Sequence, residues 1–127
     1  MRRFLLTCLA ISLVACGGES TSAPPPPKPT ISGTWTGVTG PQPVSLTLLE
    51  SNGTVNGSGT ISNTPTGVRA LSITGIFNPD GVHFSLTLSS GTAQPVNYTG
   101  TYNGVKQLVG TFVGSGFTGE TVILNKQ

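Results

Sequence analysis

From residue 31 onward, apolar and polar side chains alternate with a period of two, and no useful length of chain shows helical periodicity. Runs at 31–38, 43–50, 54–62, 68–77, 82–89, 95–102, 107–114 and 120–126 read as strands. The clearest is 82–89, where Val82, Phe84, Leu86 and Leu88 alternate with His83, Ser85 and Thr87. Val44, Leu46 and Leu48 share one face of the second run, and Leu71, Ile73 and Phe77 share one face of the fourth. Later runs place Val96, Tyr98 and Tyr102 on one face, then Leu108 with Phe112, then Val122 with Leu124. The run 54–62 is weak as a strand because Gly57 and Gly59 give it nothing to pack. Turn chemistry separates the runs. Asn52-Gly53 and Asn103-Gly104 suit tight turns, and Pro79 sets φ at the second position of Asn78-Pro79-Asp80-Gly81.

A phrase recurs inside these runs. Gly33-Thr34-Trp35, Gly59-Thr60-Ile61, Gly75-Ile76-Phe77, Gly100-Thr101-Tyr102 and Gly110-Thr111-Phe112 each set a glycine two residues before a bulky side chain. In a strand these two positions share a face. Bare backbone there lets the strand bend sharply, and a neighbour's aromatic ring can cover it. Repetition in several strands suits a tightly curved, closed sheet; a duplicated hairpin in a flatter sheet would show it too. Most links are two to six residues long, which leaves little chain for the crossovers of a sandwich. The reading is an all-β domain over residues 30–127, a small up-and-down antiparallel β-barrel of about eight strands, with a β-sandwich as the alternative. Closure removes exposed strand edges, which matters where charged residues make up only 8% of the chain. About three inward side chains per strand would largely fill such a barrel and leave room for one small ligand at most.

The N-terminus follows a different pattern. Arg2 and Arg3 precede an apolar run over residues 4–15, shorter than the about 20 residues needed to span a bilayer. Leu13-Val14-Ala15-Cys16 closes the run. Together these residues resemble a bacterial lipoprotein signal peptide with its lipobox. The resemblance implies that residues 1–15 are removed and that Cys16 becomes the lipidated first residue, bearing palmitate-type chains. At about 0.8 kcal/mol per buried CH₂, two or three such chains anchor a protein to the membrane stably. An ordinary secretory signal cut near Ala15 is the alternative. Gly17 is similar to the residue that follows the lipidated Cys in outer-membrane-directed lipoproteins. The implied address is the cell envelope, at the outer membrane, on its periplasmic or its surface face. Residues 16–29 then form the lipidated Cys and a linker, whose proline run at 24–27 favours a stiff polyproline II spacer. The spacer holds the domain off the membrane; a Pro-rich ligand for a partner domain is the alternative. Cys8 leaves with the signal, so the remaining chain has no cysteine pair for an internal disulfide.

Loss of Arg2 and Arg3 also changes the charge. The full chain carries +2, but beyond residue 15 Lys28, Arg69, Lys106 and Lys126 balance Glu19, Glu50, Asp80 and Glu120. A neutral chain offers no electrostatic footprint for nucleic acid. Ile31-Ser32-Gly33-Thr34-Trp35 resembles the opening strand of lipocalin-like and avidin-like barrels, which carry Gly-x-Trp. The resemblance implies that Trp35 plugs one barrel end. Lipocalins place an Arg of the last strand over this Trp; here Lys126 is the only candidate for that place. Avidins line their site with several Trp residues, and this chain has one, so biotin binding is not implied.

Catalytic chemistry finds little to work with. His83, the single histidine, alternates with Val82 and Phe84 and so faces away from the core. One His and one lipidated Cys do not assemble a zinc site. Asp80 lies three residues before His83, but no Gly-x-Ser-x-Gly elbow supplies a nucleophile, and Gly114-Ser115-Gly116 falls in a turn. Glu50, Asp80 and Glu120 sit at strand ends and in a turn, where solvated carboxylates are ordinary. The Gly-rich stretch 52–59 lacks the Gly-Lys-Ser/Thr of a phosphate cradle. The expectation is no enzyme, no catalytic residue, no metal and no cofactor. Arg69 shares parity with Leu71 and Ile73; either it points inward at a barrel mouth or its stem packs while its head reaches water. Trp35, Phe84, Tyr98, Tyr102 and Phe112 are the candidates for a barrel plug or a ligand lining. The expected role is that of a non-catalytic envelope lipoprotein, a monomeric, membrane-tethered binding or structural module for a protein, glycan or small apolar ligand. One alternative is a carrier of one small apolar ligand inside the barrel, favoured by a cavity of more than a few hundred Å³. The other is an inhibitor of an envelope or extracellular hydrolase, since small lipoprotein barrels resemble periplasmic protease or lysozyme inhibitors. An ordered protruding loop or N-terminal segment would favour it.

Overall fold

The computed structural model describes residues 17–18, 21–63 and 67–127. The signal and lipobox residues, Cys16 among them, lie outside the described residues. The domain is a run of antiparallel strands: β1 (Gly33–Thr39), β2 (Gln42–Ser51), β3 (Thr54–Asn63), β4 (Gly67–Phe77), β5 (His83–Ser89), β6 (Val96–Tyr102), β7 (Gln107–Gly114) and β8 (Phe117–Lys126). Each pairs with the next in chain order, and β8 pairs back onto β1, with Trp35 opposite Lys126 and Val38 opposite Ile123. This is the closed up-and-down barrel, and the sandwich alternative falls. Among the described residues no helix is long and apolar enough to cross a membrane.

The alternation works as the pattern requires. β5 buries Phe84, Leu86 and Leu88; β2 buries Val44, Leu46 and Leu48; β8 buries Val122 and Leu124. Several strand ends move by one or two residues from the sequence pattern, with Ile31 left outside β1, and two boundaries move for clear local reasons. Val82 is 40% exposed and precedes β5, because the Asp80 carboxylate accepts its amide at 2.8 Å and keeps it in the turn. β8 begins at Phe117 rather than 120, because Gly114, Ser115 and Gly116 all take positive φ and reverse the chain at once. β3 runs its full length despite Gly57 and Gly59. Those glycines lie opposite Leu48 and Leu46, whose bulk takes the place of a side chain.

The inward glycines permit the curvature. Gly100 and Gly110 stand directly opposite each other on β6 and β7. A Cβ on Gly100 would lie 2.5 Å from the Gly110 Cα and would run into the Val109 carbonyl oxygen. Cε2 of Tyr98 would lie only 2.9 Å from a Cβ on Gly110, so the ring covers the bare backbone. Gly75 repeats the arrangement against β5, where a Cβ would meet the Leu86 Cα at 2.8 Å. Gly100→Ala is therefore expected to cost about 1–3 kcal/mol through overpacking. Thr101→Ala, one residue along on the exposed face, should change stability by less than about 0.5 kcal/mol. Urea denaturation of the two variants measures the difference.

Candidate functional site

The two ends of the barrel are built differently. The end where β1 starts and β2 finishes carries the turns at 52–53, 78–82 and 103–106, and the chain enters here. Trp35 is fully buried in it, and its Nε1 donates to the Ile31 carbonyl at 2.8 Å. Ile31, also fully buried, folds over the opening as a stopper. The Tyr102 ring meets Trp35 edge-on at 5.9 Å, and Phe77 packs on Tyr102 at 6.1 Å. The Tyr102 hydroxyl donates to the Val105 carbonyl at 3.0 Å. Lys126 Nζ lies 5.5 Å from the centre of the Trp35 ring, the place anticipated for it. A cation over an aromatic face is worth about 0.5–1 kcal/mol near solvent. The entering segment is tied down again at Ser32, whose Oγ accepts the Glu50 amide at 2.8 Å.

The middle of the barrel is filled. Tyr98 packs at a tilt against Phe84 and edge-on against Phe112, each at 4.9 Å between ring centres. Its hydroxyl is 3.2 Å from the Leu108 carbonyl and 3.1 Å from that of Val122, so a buried phenol has acceptors on two strands. Burial raises its pKa above the ordinary phenol value. The structure thus brings Phe84, Tyr98 and Phe112 together as one cluster and places Trp35 with Tyr102 at the closed end. All five are packed, and the two cavities of this site are lined by other residues.

The first cavity opens at the opposite end and measures about 150 Å³. Ile61, Leu71, Leu88, Val96 and Phe117 form its apolar part. Phe117 leans edge-on against Phe112 at 5.3 Å, which joins the mouth to the core. Gln42, Arg69, Ser90, Gln94 and Ser115 form the polar part. Arg69 lines the mouth while remaining exposed, which unites the two positions open to it. It is the only charged residue in the lining and makes no ion pair among the described residues. Sequence reasoning missed Gln42, Ser90, Gln94 and Phe117. For three of them the signal was parity: Gln42, Ser90 and Gln94 each lie two positions beyond the inward-facing Val44, Leu88 and Val96, toward the mouth. Polar residues at inward positions mark where the core ends. Phe117 carried no such signal, because the glycines around it read as turn.

The second cavity, about 380 Å³, lies outside the barrel at the closed end, between Lys28 and Pro29 of the entering segment and the turns bearing Glu50, Asn52 and Asp80.

On the outer surface, His83 and Asp80 do meet, with Nδ1 2.6 Å from Oδ2, and their side chains are 60% and 44% exposed. The His83 ring holds the Asp80 carboxyl down, to about 2, helped by the His83 and Val82 amides. This is a turn cap in water. Glu50 closes its own turn by accepting the Gly53 amide at 2.8 Å. Glu120 accepts the Thr118 amide at 2.7 Å, and its pKa is lowered by its own amide first and then by that of Thr118. The three carboxylates therefore serve separate turns. Among the described residues no group of three or more His, Cys, Asp or Glu is placed to hold a metal ion. No protein-family model matches the sequence, and no curated protein matches it.

Two expectations follow. Trp35→Ala should cost about 3–5 kcal/mol, as for other large core truncations, and the native Trp35 emission should shift to the red on unfolding. Asp80 has a depressed pKa, so its ionised form favours the fold. That stabilisation is complete above the ordinary value of 3.8 and is lost as pH falls through about 2. Denaturation across this range should show Asp80→Asn less stable than wild type at the upper end, with the gap closing toward the lower.

Proposed function

We propose that the protein is a non-catalytic envelope lipoprotein, anchored through lipid on Cys16 and presenting its barrel as a binding module. The observation that carries this reading is the polarity of the barrel. The chain enters at the end closed by Ile31 and Trp35, with Pro29 against Gly81, and the open mouth lies at the other end. An anchor at Cys16 therefore turns the closed end toward the membrane and the mouth away from it. The prolines at 24–27 supply the stand-off. The packed interior around Tyr98 supports recognition at the mouth over storage of an apolar ligand inside. Ile31 and Ser32 at the end of the entering segment are packed into the closed end, which supports a general binder over a hydrolase inhibitor. Gly17 supports the outer membrane as the address, and a monomer facing a protein, glycan or small ligand as the working form.

Membrane fractionation of wild type and Cys16→Ser tests the anchor. Wild type is expected in the membrane fraction, and the variant in a soluble or unprocessed form. Recovery of wild type as soluble protein, unlipidated and cut elsewhere, would sink the reading.

A further inference from the structure

We propose that the mouth cavity binds a small monocarboxylic acid bearing one benzene-sized apolar group, with its carboxylate on Arg69. This rests on the reading of the barrel as a binding module and narrows it to a ligand class. Size comes first. The cavity measures about 150 Å³, and an apolar protein cavity of that volume holds a benzene molecule. Its apolar residues, Ile61, Leu71, Leu88, Val96 and Phe117, offer a ring or a short branched chain the surface it needs. Depth comes second. Phe117 rests on Phe112, and Phe112 on Tyr98, so a longer chain has no further room below.

Charge decides the rest. No Asp or Glu lines the mouth, and Arg69 is the one ionic group there. Among the described residues the other cations belong to the closed end: Lys126 over Trp35, Lys106 in the turn at 103–106, and Lys28 on the entering segment. Glu50 and Asp80 lie at that end too, and Glu120, near the mouth on β8, is engaged with the Thr118 and Gly119 amides, does not line the cavity and makes no ion pair with Arg69. Arg69 is thus left without a counter-charge at a mouth whose floor is apolar. A planar guanidinium fits a carboxylate with two parallel hydrogen bonds, and charge-assisted bonds are the strong ones. Ser90, Gln94 and Ser115 add neutral hydrogen-bonding groups around it, which fix orientation without adding charge. A cation of the same size would meet Arg69 with repulsion.

The test is a titration of the full chain, purified in detergent, with benzoate, benzamide and a series of straight-chain fatty acids. Backbone amide shifts report the site. Benzoate should shift Ser90, Gln94 and residues 115–117 saturably and leave the closed end around Trp35 unmoved. Benzamide, the neutral isostere, should bind about tenfold more weakly or worse, as should benzoate to Arg69→Gln. Affinity in the fatty-acid series should stop rising once the chain exceeds the cavity, at about six carbons by comparison with benzene. Equal binding of benzoate and benzamide would overturn the carboxylate assignment, and this comparison needs no variant to fold. Absence of saturable shifts at the mouth would overturn the site, and steady gains in affinity with every added CH₂ would overturn the size limit. None of these results depends on Cys16, so failure here is separate from failure of the anchor.

Discussion

The structure depends on one steric constraint: eight short strands have to close on themselves around large aromatic rings. Closure at this diameter brings neighbouring backbones close together on the inside, where a side chain on every inward position would collide. Gly100 faces Gly110 across β6 and β7, and Gly75 faces Leu86 across β4 and β5, so these crossings are relieved by leaving out a Cβ. The bulky member of each Gly-x-bulky phrase then falls to one side of the bare crossing. Phe77 and Tyr102 lie toward the closed end, Ile61 and Phe112 toward the mouth. Curvature and core filling are two results of the same spacing.

That arrangement gives the barrel its direction. At one end Trp35, Tyr102 and Phe77 build an aromatic floor, with Ile31 as a stopper and Lys126 above. The entering segment is part of this seal, because Trp35 donates to Ile31 and Glu50 to Ser32. At the other end the inward face stops one residue early. Its terminal positions are Gln42, Arg69, Ser90 and Gln94 instead of apolar residues, so the core ends in a shallow opening. Arg69 is the one charged residue that lines this opening. Carboxylates that might have suggested acid–base chemistry are occupied with backbone amides of their own turns, Asp80 with Val82 and His83, Glu50 with Gly53 and Glu120 with Thr118. A fold this small and this poor in charge uses its few ionised groups to hold turns in place.

Strand periodicity and turn chemistry are local properties, and they were legible in the sequence. Alternation in 82–89 and 43–50 named the buried face, Asn52-Gly53 placed a hairpin, and short links with repeated Gly-x-bulky phrases selected a closed barrel. Gly-x-Trp resembles the opening strand of lipocalin-like barrels, and the structure buries Trp35 with Lys126 Nζ over its ring. What tertiary structure alone decided was which positions meet across strands distant in sequence. Val82 kept the parity of a core residue yet stayed outside, because the capped turn at Asp80 holds its backbone. Phe117 looked like turn yet packs on Phe112, because the three positive-φ residues before it reverse the chain at once. The joining of Arg69 on β4 with Gln94 before β6 and Ser115 after β7 into one mouth needs the sheet to close, and closure is a property of all eight strands together. Period-two patterning states which side of the sheet a residue takes; it carries no information about which residues a closed sheet brings together.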